Sequence, residues 1–355
     1  MSETECKSSS GLSAGGCESY ASHAVCCIYV SSCGDLAKNN VTYFVNPNGP
    51  LGFSEPSTCT LRVNKIEKDI CQFRLDFEDF RIVGPQVGDA PFRYHPATSR
   101  SPSILGALNR HSNCKDDVFT VYHGNRNHPI PIICGTNTGQ HMYIPVDKTD
   151  HDSVAITFLT GINDFKRFWR IKISQFSCKD VDLLAPQGCL QYHTTPRGTI
   201  TSFNYEGDHY LQNIDYSICI YRPKDMCFLS FQRNPPPVNA TTNTNADVEA
   251  ATFNGKNSSS LSKILSNANG TIVEARTIIH DTCRNAGYWI TWPGTDRICS
   301  EDIETLNIPV TISTSAPQII HFFSSPWDEN RKETRGAYQG FSLNYTHLPC
   351  THGYF

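Results

Sequence analysis

The sequence is poor in charge, in methionine and in long apolar runs. Charged residues make up 18% of its 355 positions, and three residues are methionine. The 30 Lys and Arg are outnumbered by 34 Asp and Glu, and the resulting net charge of −4 argues against a protein that coats nucleic acid. The longest apolar run is the seven residues 24–30, whereas a transmembrane helix needs about 20. We therefore expect neither nucleic acid as a partner nor a transmembrane segment.

Cysteine, by contrast, is abundant. The chain has 16 cysteines, an even number that is typical of disulfide-bonded proteins from an oxidising compartment. Residues 1–6 have neither the basic nor the apolar region of a signal peptide, so we expect that a signal peptide has been removed or that the true start lies upstream. Five N-x-S/T acceptor sites also favour a secreted, extracellular glycoprotein: Asn40, Asn239, Asn257, Asn269 and Asn344.

Twelve of the cysteines form two sets of six with similar spacing. The successive gaps are 26, 12, 43, 20 and 44 residues from Cys33 to Cys178, and 30, 8, 56, 16 and 51 from Cys189 to Cys350. This recurring order predicts an internal repeat of domain size. We expect a Cys-rich N-terminal segment over residues 1–32, followed by one domain over 33–182 and a second over 186–352.

The segments between the cysteines have the pattern of β-strands. Residues 71–77, 155–158, 169–173 and 341–345 alternate apolar and polar side chains, as strands buried on one face do. Pro and Gly interrupt these segments at short intervals, and no long stretch keeps a helical period. The chain is therefore predicted to be all-β, with two β-sandwiches in tandem. Residues 84–113 and 234–270 break the pattern and are predicted to be loops, the second of them a disordered insertion.

Several of these stretches resemble the CUB domain, a disulfide-bonded β-sandwich of jelly-roll type. In the first copy they are Cys33 to Cys59, 75–80, 114–117, 133–135 and 158–173. In the second copy they are Cys189 to Cys219, Cys283, Cys299, 320–325 and 340–345. Over about residues 33–350 the chain is also similar to a group of secreted arthropod CUB-domain proteins, in residues 46–47, 71–77, 133–143 and 186–192.

The resemblance implies four disulfides: Cys33–Cys59, Cys114–Cys134, Cys189–Cys219 and Cys283–Cys299. The repeat suggests that the two remaining cysteines of each copy are also bridged, as Cys71–Cys178 and Cys227–Cys350. A crosslink between the domains, of the type Cys178–Cys227, is the alternative. The N-terminal cysteines resemble the end of a clip-type module and could be left mispaired if upstream cysteines are missing; they are Cys6, Cys17, Cys26 and Cys27.

The resemblance also points to Ca²⁺ as the one candidate cofactor. Several CUB domains bind it through a Glu, an Asp three residues after the third cysteine and a later loop Asp, because Ca²⁺ requires six or more oxygen ligands. Asp117 has the second of these positions and Asp164 lies near the third, whereas no Glu stands near residues 82–83. Asp117 and Asp164 are therefore the candidate Ca²⁺ ligands of the first copy. In the second copy, Cys283 is followed by Arg-Asn-Ala, which lacks the Asp.

No motif indicates catalysis. Residues 11–15 match G-x-S-x-G, but they lie in a loop of small residues between Cys6 and Cys17 instead of in a strand–turn–helix. His123 and His128 have no obvious third ligand, and the sequence contains no Cys-x-x-Cys pair, so a zinc site is not expected either. The histidines are interpreted as loop and surface residues. We predict that the protein is not an enzyme.

Aromatic residues make up 11% of the chain, and most of them are expected in the cores. Two stretches are candidate contact surfaces. In residues 288–294, strand geometry places Trp289 on the face opposite Tyr288. In residues 135–143, a turn leads into a strand on which His141 and Tyr143 share a face.

These observations favour a secreted, non-catalytic protein that recognises another extracellular protein or a glycan. Two alternatives remain open. The chain could be a structural component of a cuticle or secretion, or a regulatory remnant of a CUB or clip protease. The oligomeric state is not assigned.

Overall fold

The computed structural model describes residues 2–17, 24–85, 114–122, 130–146, 153–207, 209–234, 287–291, 297–299, 310–313, 318–325 and 339–350. Most of the two predicted loops, 84–113 and 234–270, lies outside these residues. Within them the chain is almost entirely β, as predicted, with one short α-helix and one turn of 3-10 helix at Tyr205–Gly207. No helix in the described ranges is long and apolar enough to cross a membrane.

The N-terminal segment forms a small unit of its own. It consists of helix α1 (Glu3–Ser8) and the antiparallel pair β1 (Leu12–Gly16) and β2 (Val25–Ile28). Helix α1 begins with a capping box, in which Ser2 and Glu5 bond reciprocally to each other's backbone N–H. Disulfides Cys6–Cys27 and Cys17–Cys26 close the unit, so all four N-terminal cysteines pair among themselves.

The first sandwich consists of two facing sheets. A four-stranded sheet has the order β4-β6-β10-β8 and a five-stranded sheet has the order β3-β5-β11-β7-β9. Their strands are β3 (Val30–Ser31), β4 (Leu36–Ala37), β5 (Val41–Val45), β6 (Ser57–Asn64), β7 (Ile70–Arg81), β8 (Val118–Tyr122), β9 (His141–Pro145), β10 (Ser153–Thr160) and β11 (Phe168–Ser177).

Alternation of apolar and polar residues produces this sandwich. In β7 the inward side chains Phe73, Leu75 and Phe77 are fully buried, while the residues between them reach the outer face. The two sheets meet at Trp169, whose ring stacks on that of Phe158 with centroids 4.2 Å apart. The core is therefore built from aromatic residues of both sheets, as expected from the composition.

The second sandwich pairs a five-stranded sheet of order β12-β14-β19-β16-β17 with a four-stranded sheet of order β13-β20-β15-β18. Its strands are β12 (Gln191–His193), β13 (Arg197–Thr201), β14 (Asp215–Ile220), β15 (Met226–Arg233), β16 (Tyr288–Thr291), β17 (Ile298–Cys299), β18 (Val310–Ser313), β19 (Gln318–Ser324) and β20 (Ser342–Pro349). Tyr288, Phe322 and Phe341 are buried between the two sheets.

The two sandwiches have the same strand topology. In the first, β4 runs parallel to β6, and β10 and β8 follow antiparallel; in the second, β12, β14, β19 and β16 repeat this arrangement. The order β5-β11-β7-β9 is likewise repeated by β13-β20-β15-β18. The repeat seen in the cysteine spacing thus has a counterpart in the connection of the strands.

The disulfides of the two halves also correspond. The first sandwich contains Cys33–Cys59, Cys71–Cys178 and Cys114–Cys134. The second contains Cys189–Cys219 and Cys227–Cys350. Each of the long bridges joins the start of a central strand, β7 or β15, to the residue after its neighbour, β11 or β20. These bridges lie within the halves, which excludes the Cys178–Cys227 alternative. The pairing of Cys283 with Cys299 lies outside the described residues.

Candidate functional site

The outer surface of the first five-stranded sheet carries a charged face. We use this name for six of the outward side chains of β5, β11 and β7: Tyr43, Arg170, Lys172, Arg74, Asp76 and Glu78. Strand pairing places Lys172 directly between Tyr43 and Asp76. Glu78 lies in a β-bulge, because Arg170 pairs with Asp79 and Ile171 with Phe77. Alternation along β7 places Glu78 on the outer face with Arg74 and Asp76, and the bulge leaves Glu78 next to Asp79.

Two ion pairs cross the charged face. Arg74 bonds to Asp76 at 2.8 Å, and Arg170 bonds to Glu78 at 2.9 Å. The Arg170 guanidinium also lies over the ring of Tyr43, 4.9 Å from its centroid. These contacts are partly exposed, so their worth for stability is small, and their main effect is to fix the positions of the charges.

Lys172 is different, because it has no ion-pair partner in the described part of the chain. Its side chain lines a shallow groove of about 460 Å³, together with Arg74, Asp76, Glu78, Ser174 and Phe176. A second groove of about 480 Å³, on the side of the N-terminal unit, also reaches Lys172. Lys172 therefore borders both grooves.

The edge strand β9 of the same sheet is covered by the second sandwich. His141 and Tyr143 of β9 share the outer face, as predicted, with ring centroids 5.7 Å apart. They are buried against the second sandwich, where the Tyr143 N–H donates to Leu190 O at 2.8 Å and the Tyr192 N–H donates to His141 Nε2 at 2.9 Å. We call this contact between β9 and β12 the seam. His141 and Tyr143, which the sequence placed on a candidate contact surface, thus contact the second half of the same chain.

Asparagine side chains extend the seam. The Asn204 N–H donates to Asn137 Oδ1, and Asn204 Oδ1 accepts from the Thr136 N–H, both at 2.8 Å. Gly135 is required beside them, because its φ is +81° and a Cβ there would lie 1.8 Å from Asn204 Oδ1. These reciprocal bonds hold the turn before β9 tightly against the second sandwich.

The seam contains two adjacent histidines, contrary to the prediction that the histidines are loop and surface residues. His141 and His193 have ring centroids 4.9 Å apart. Burial is the main reason that the pKa of His141 lies well below its usual value, and His193 and Arg74 add to the effect. Burial, followed by Arg74, lowers the pKa of His193 to about 4. Both rings are therefore neutral at physiological pH.

Asp117, one of the two candidate Ca²⁺ ligands, is paired with an arginine. Both Asp117 and Arg167 are fully buried, and the guanidinium donates to both carboxylate oxygens, from Nε at 2.6 Å and from Nη2 at 2.8 Å. The same guanidinium donates to Ser54 O, Gly161 O, Asn163 Oδ1 and Phe165 O. The Val83 and Gly161 N–H groups also donate to Asp117.

The residues present do not fit a Ca²⁺ ion at this position. The oxygens that could serve as ligands already surround the Arg167 guanidinium, whose positive charge balances Asp117. Asp164, the second candidate, is exposed and has no contact with Asp117 among the described residues. The same part of the chain contains no group of three or more His, Cys, Asp or Glu placed to hold a metal. A buried cationic side chain thus stands where the resemblance places a cation.

We therefore expect the stability of the first sandwich to be independent of Ca²⁺. Adding Ca²⁺ or EDTA at neutral pH should leave the unfolding temperature unchanged, because a metal would have to displace a buried bidentate ion pair. Differential scanning calorimetry of the full chain in each condition checks this result. A rise of several degrees with Ca²⁺, lost in the Asp117→Asn variant, would contradict it.

Arg167 was missed by the sequence reasoning, although the sequence contains a signal for it. The residue has the same alternation as Trp169, Ile171 and Ile173, all of which face the core. A charged residue at an inward position requires a buried partner. His141 and His193 have no such local signal, because their burial results from contact between two sandwiches.

The structure describes two of the five predicted glycosylation sites, Asn40 and Asn344. Asn40 is exposed and lines the second groove, whereas Asn344 is half-buried in β20, where its Oδ1 accepts from Thr199 Oγ1 at 2.7 Å. Asn239, Asn257 and Asn269 lie outside the described residues. Glycosylation therefore stays a prediction from the sequence.

The aromatic candidates of β16 are placed as predicted. Tyr288 is buried, and Trp289 is half-buried on the opposite face, where it stacks on Phe323 with ring centroids 4.2 Å apart. The Arg297 guanidinium lies 4.9 Å from the centroid of the Trp289 ring. This cluster is already satisfied by its own neighbours, and we assign it no role.

Comparison with known proteins bears on the second half of the chain. Residues 186–348 match the family model of the animal CUB domain. This range contains the whole strand repeat from β12 to β19 and most of β20. Residues 186–348 therefore resemble an animal CUB domain. No curated protein sequence matches the chain.

Solved structures that match the chain include three from MASP-1. The CUB1-EGF-CUB2 domains of rat MASP-1 have 14% identity over 90% of this chain and 100% of that chain, with a TM-score of 0.26. The corresponding human MASP-1/3 structure has 15% identity over 87% and 100%, with a TM-score of 0.25. The MASP-1 CUB2 domain bound to Ca²⁺ has 18% identity over 40% and 98%, with a TM-score of 0.26. The similarity of residues 186–348 to the CUB domain is given by the family match.

Proposed function

We propose that the chain is an extracellular, non-catalytic recognition protein whose charged face binds a segment of another protein. The observation that carries this proposal is the groove in which Lys172 has no ion-pair partner among the described residues, while Arg74 and Asp76 and likewise Arg170 and Glu78 form ion pairs beside it. Seven disulfides among the described cysteines support an oxidising, extracellular location. The first sandwich has the strand topology of the second half, which resembles a CUB domain, and we propose that both are CUB domains.

The charges favour a polypeptide as ligand. The face presents three cations, Arg74, Arg170 and Lys172, together with the carboxylates of Asp76 and Glu78. A uniformly anionic glycan or nucleic acid would meet both carboxylates, and like charges brought together disfavour binding. A polypeptide can place an Asp or Glu at Lys172 and amide or basic groups at the carboxylates. We therefore infer an acidic residue at the centre of the recognised segment.

The experiment is a selection from a displayed peptide library on the immobilised full chain. We expect the enriched peptides to contain Asp or Glu, and the Lys172→Glu variant to lose at least tenfold in affinity for them because attraction becomes repulsion. Surface plasmon resonance with synthetic peptides measures the change. Lys172 is partly exposed, so the variant should fold normally.

Lys115→Glu is the matched control, since Lys115 is an exposed lysine near the end of the sandwich, away from the groove. It makes the same change in net charge, and its affinity for the selected peptides should equal that of the wild type. Equal losses in the two variants would reveal a general charge effect. That result, or enrichment of basic peptides, would overturn the assignment of the groove.

A further inference from the structure

The seam joins the two halves through side chains whose bonding depends on protonation. We propose that the seam is an acid-sensitive coupling, closed at neutral pH and released when His141 and His193 take up protons. Release would separate β9 from β12 and uncover Tyr143, which borders the charged face through its bond with Arg74. The inference concerns the relation between the two halves and does not depend on the proposed ligand.

Protonation of His141 removes a bond of the seam. His141 Nε2 accepts a hydrogen bond from the Tyr192 N–H, and this requires a free lone pair on that nitrogen. Once Nε2 carries a proton, two N–H groups face each other at 2.9 Å and the contact becomes repulsive. Because the ring is buried, water does not reach it to replace the lost partner while the seam is closed.

Protonation of His193 is unfavourable for a second reason. Its Nε2 atom is buried and has no hydrogen-bond partner in the described part of the chain. A proton added there would be an unsatisfied buried donor next to the His141 ring. Two neighbouring imidazolium rings would also repel each other at a centroid separation of 4.9 Å.

Among the residues that the structure describes, no free carboxylate lies beside the two rings to stabilise them when they are protonated. The titratable and charged side chains that face the two rings come from β7, β9, β12 and β20, and they are Arg74, Asp76, Tyr143, Tyr192 and Tyr345. Beyond them, Tyr221, the residue after β14, lies near Tyr192, and His347 contacts Tyr345. Asp76 is the cross-strand neighbour of His141, but its carboxylate is bonded to Arg74 at 2.8 Å. Burial raises the pKa values of Tyr143, Tyr192 and Tyr345, so these phenols stay neutral.

The direction of the pH effect follows from the lowered pKa values. With the seam open, both rings are hydrated and bind protons near the ordinary pKa of about 6.5. The closed seam binds protons at lower pH, near 4 for His193, so closure is favoured above about pH 6.5 and is weakened as the pH falls from 6.5 towards 4. His193 alone shifts the open-to-closed ratio about 30-fold between pH 7.5 and pH 5. His141 acts in the same direction.

Hydrogen–deuterium exchange of the full chain tests the proposal. The amides of Tyr143, Tyr192, Thr136 and Asn204 are bonded across the seam, so their protection factors report its opening. After correction for intrinsic exchange rates, we expect these factors to fall at least 30-fold from pH 7.5 to pH 5. Core amides of β6 and β10 should keep their protection over the same range.

Two variants complete the design. The double variant His141→Gln/His193→Phe keeps an acceptor for the Tyr192 N–H and an aromatic ring at position 193. Because neither new side chain titrates, the loss of amide protection at the seam between pH 7.5 and pH 5 should disappear. His321→Gln is the matched control, because His321 is exposed on β19 and should leave the loss unchanged. Seam protection that persists in the wild type to pH 4, or that falls together with protection in β6 and β10, overturns the proposal even if the double variant does not fold.

Discussion

Replacing Arg167 by methionine is expected to lower the free energy of unfolding of the first sandwich by about 3–5 kcal/mol. The change leaves the Asp117 carboxylate buried with its charge uncompensated, although it still accepts two backbone hydrogen bonds. It also removes the donors for Ser54 O, Gly161 O and Asn163 Oδ1, which lie in the loops at this end of the sandwich. Urea titration with amide exchange in β10 and β11 as the readout measures the loss.

Arg170→Met is the matched control for this variant. It makes the same substitution three residues later, but the Arg170–Glu78 pair is about half exposed, so its loss should cost no more than about 1 kcal/mol. Combining Arg167→Met with Asp117→Asn removes the buried charge, and we expect the double variant to recover part of the stability. Equal costs for Arg167→Met and Arg170→Met would show that burial of the pair does not govern its contribution.

The cysteine spacing predicted more of the fold than any other feature of the sequence. Because a disulfide needs Cα atoms within about 7 Å, a repeated set of gaps restricts the strands between them to a repeated arrangement. The repeat corresponds to the matching orders β4-β6-β10-β8 and β12-β14-β19-β16. Alternation predicted the strands in the same way, since Phe73, Leu75 and Phe77 can all face the core only in an extended chain.

The candidate sites were less predictable because they depend on distant parts of the chain. Asp117 was recognised from its spacing of three residues after Cys114 in the sequence. Its partner Arg167 is 50 residues further along the chain, in the segment before β11. Residues 135–143 have the pattern of a strand with one outward face, and nothing in that pattern shows that β12 covers it. Local periodicity gives the direction of a side chain, whereas contacts between sheets and between sandwiches decide what it meets.

Removing the Cys71–Cys178 bridge by replacing both cysteines with serine is expected to lower the free energy of unfolding of the first sandwich by about 5 kcal/mol. The bridge spans 107 residues, so it restricts the unfolded chain strongly. Both cysteines are only partly buried, which allows serine hydroxyls to be hydrated and leaves loss of the crosslink as the main effect. Urea titration of the oxidised variant, with amide exchange in β7 and β11 as the readout, gives the value.

The same double replacement at Cys17 and Cys26 provides the control, since that bridge spans nine residues and lies in the N-terminal unit. It should leave unfolding of the first sandwich unchanged within about 0.5 kcal/mol. If both pairs of serines cost the same, the stability of the sandwich would not depend on the long crosslink. The repeated cysteine spacing would then reflect the shared strand topology without a large effect on stability. The apolar core around Trp169 and Phe158 would account for the stability that we assign to the bridge.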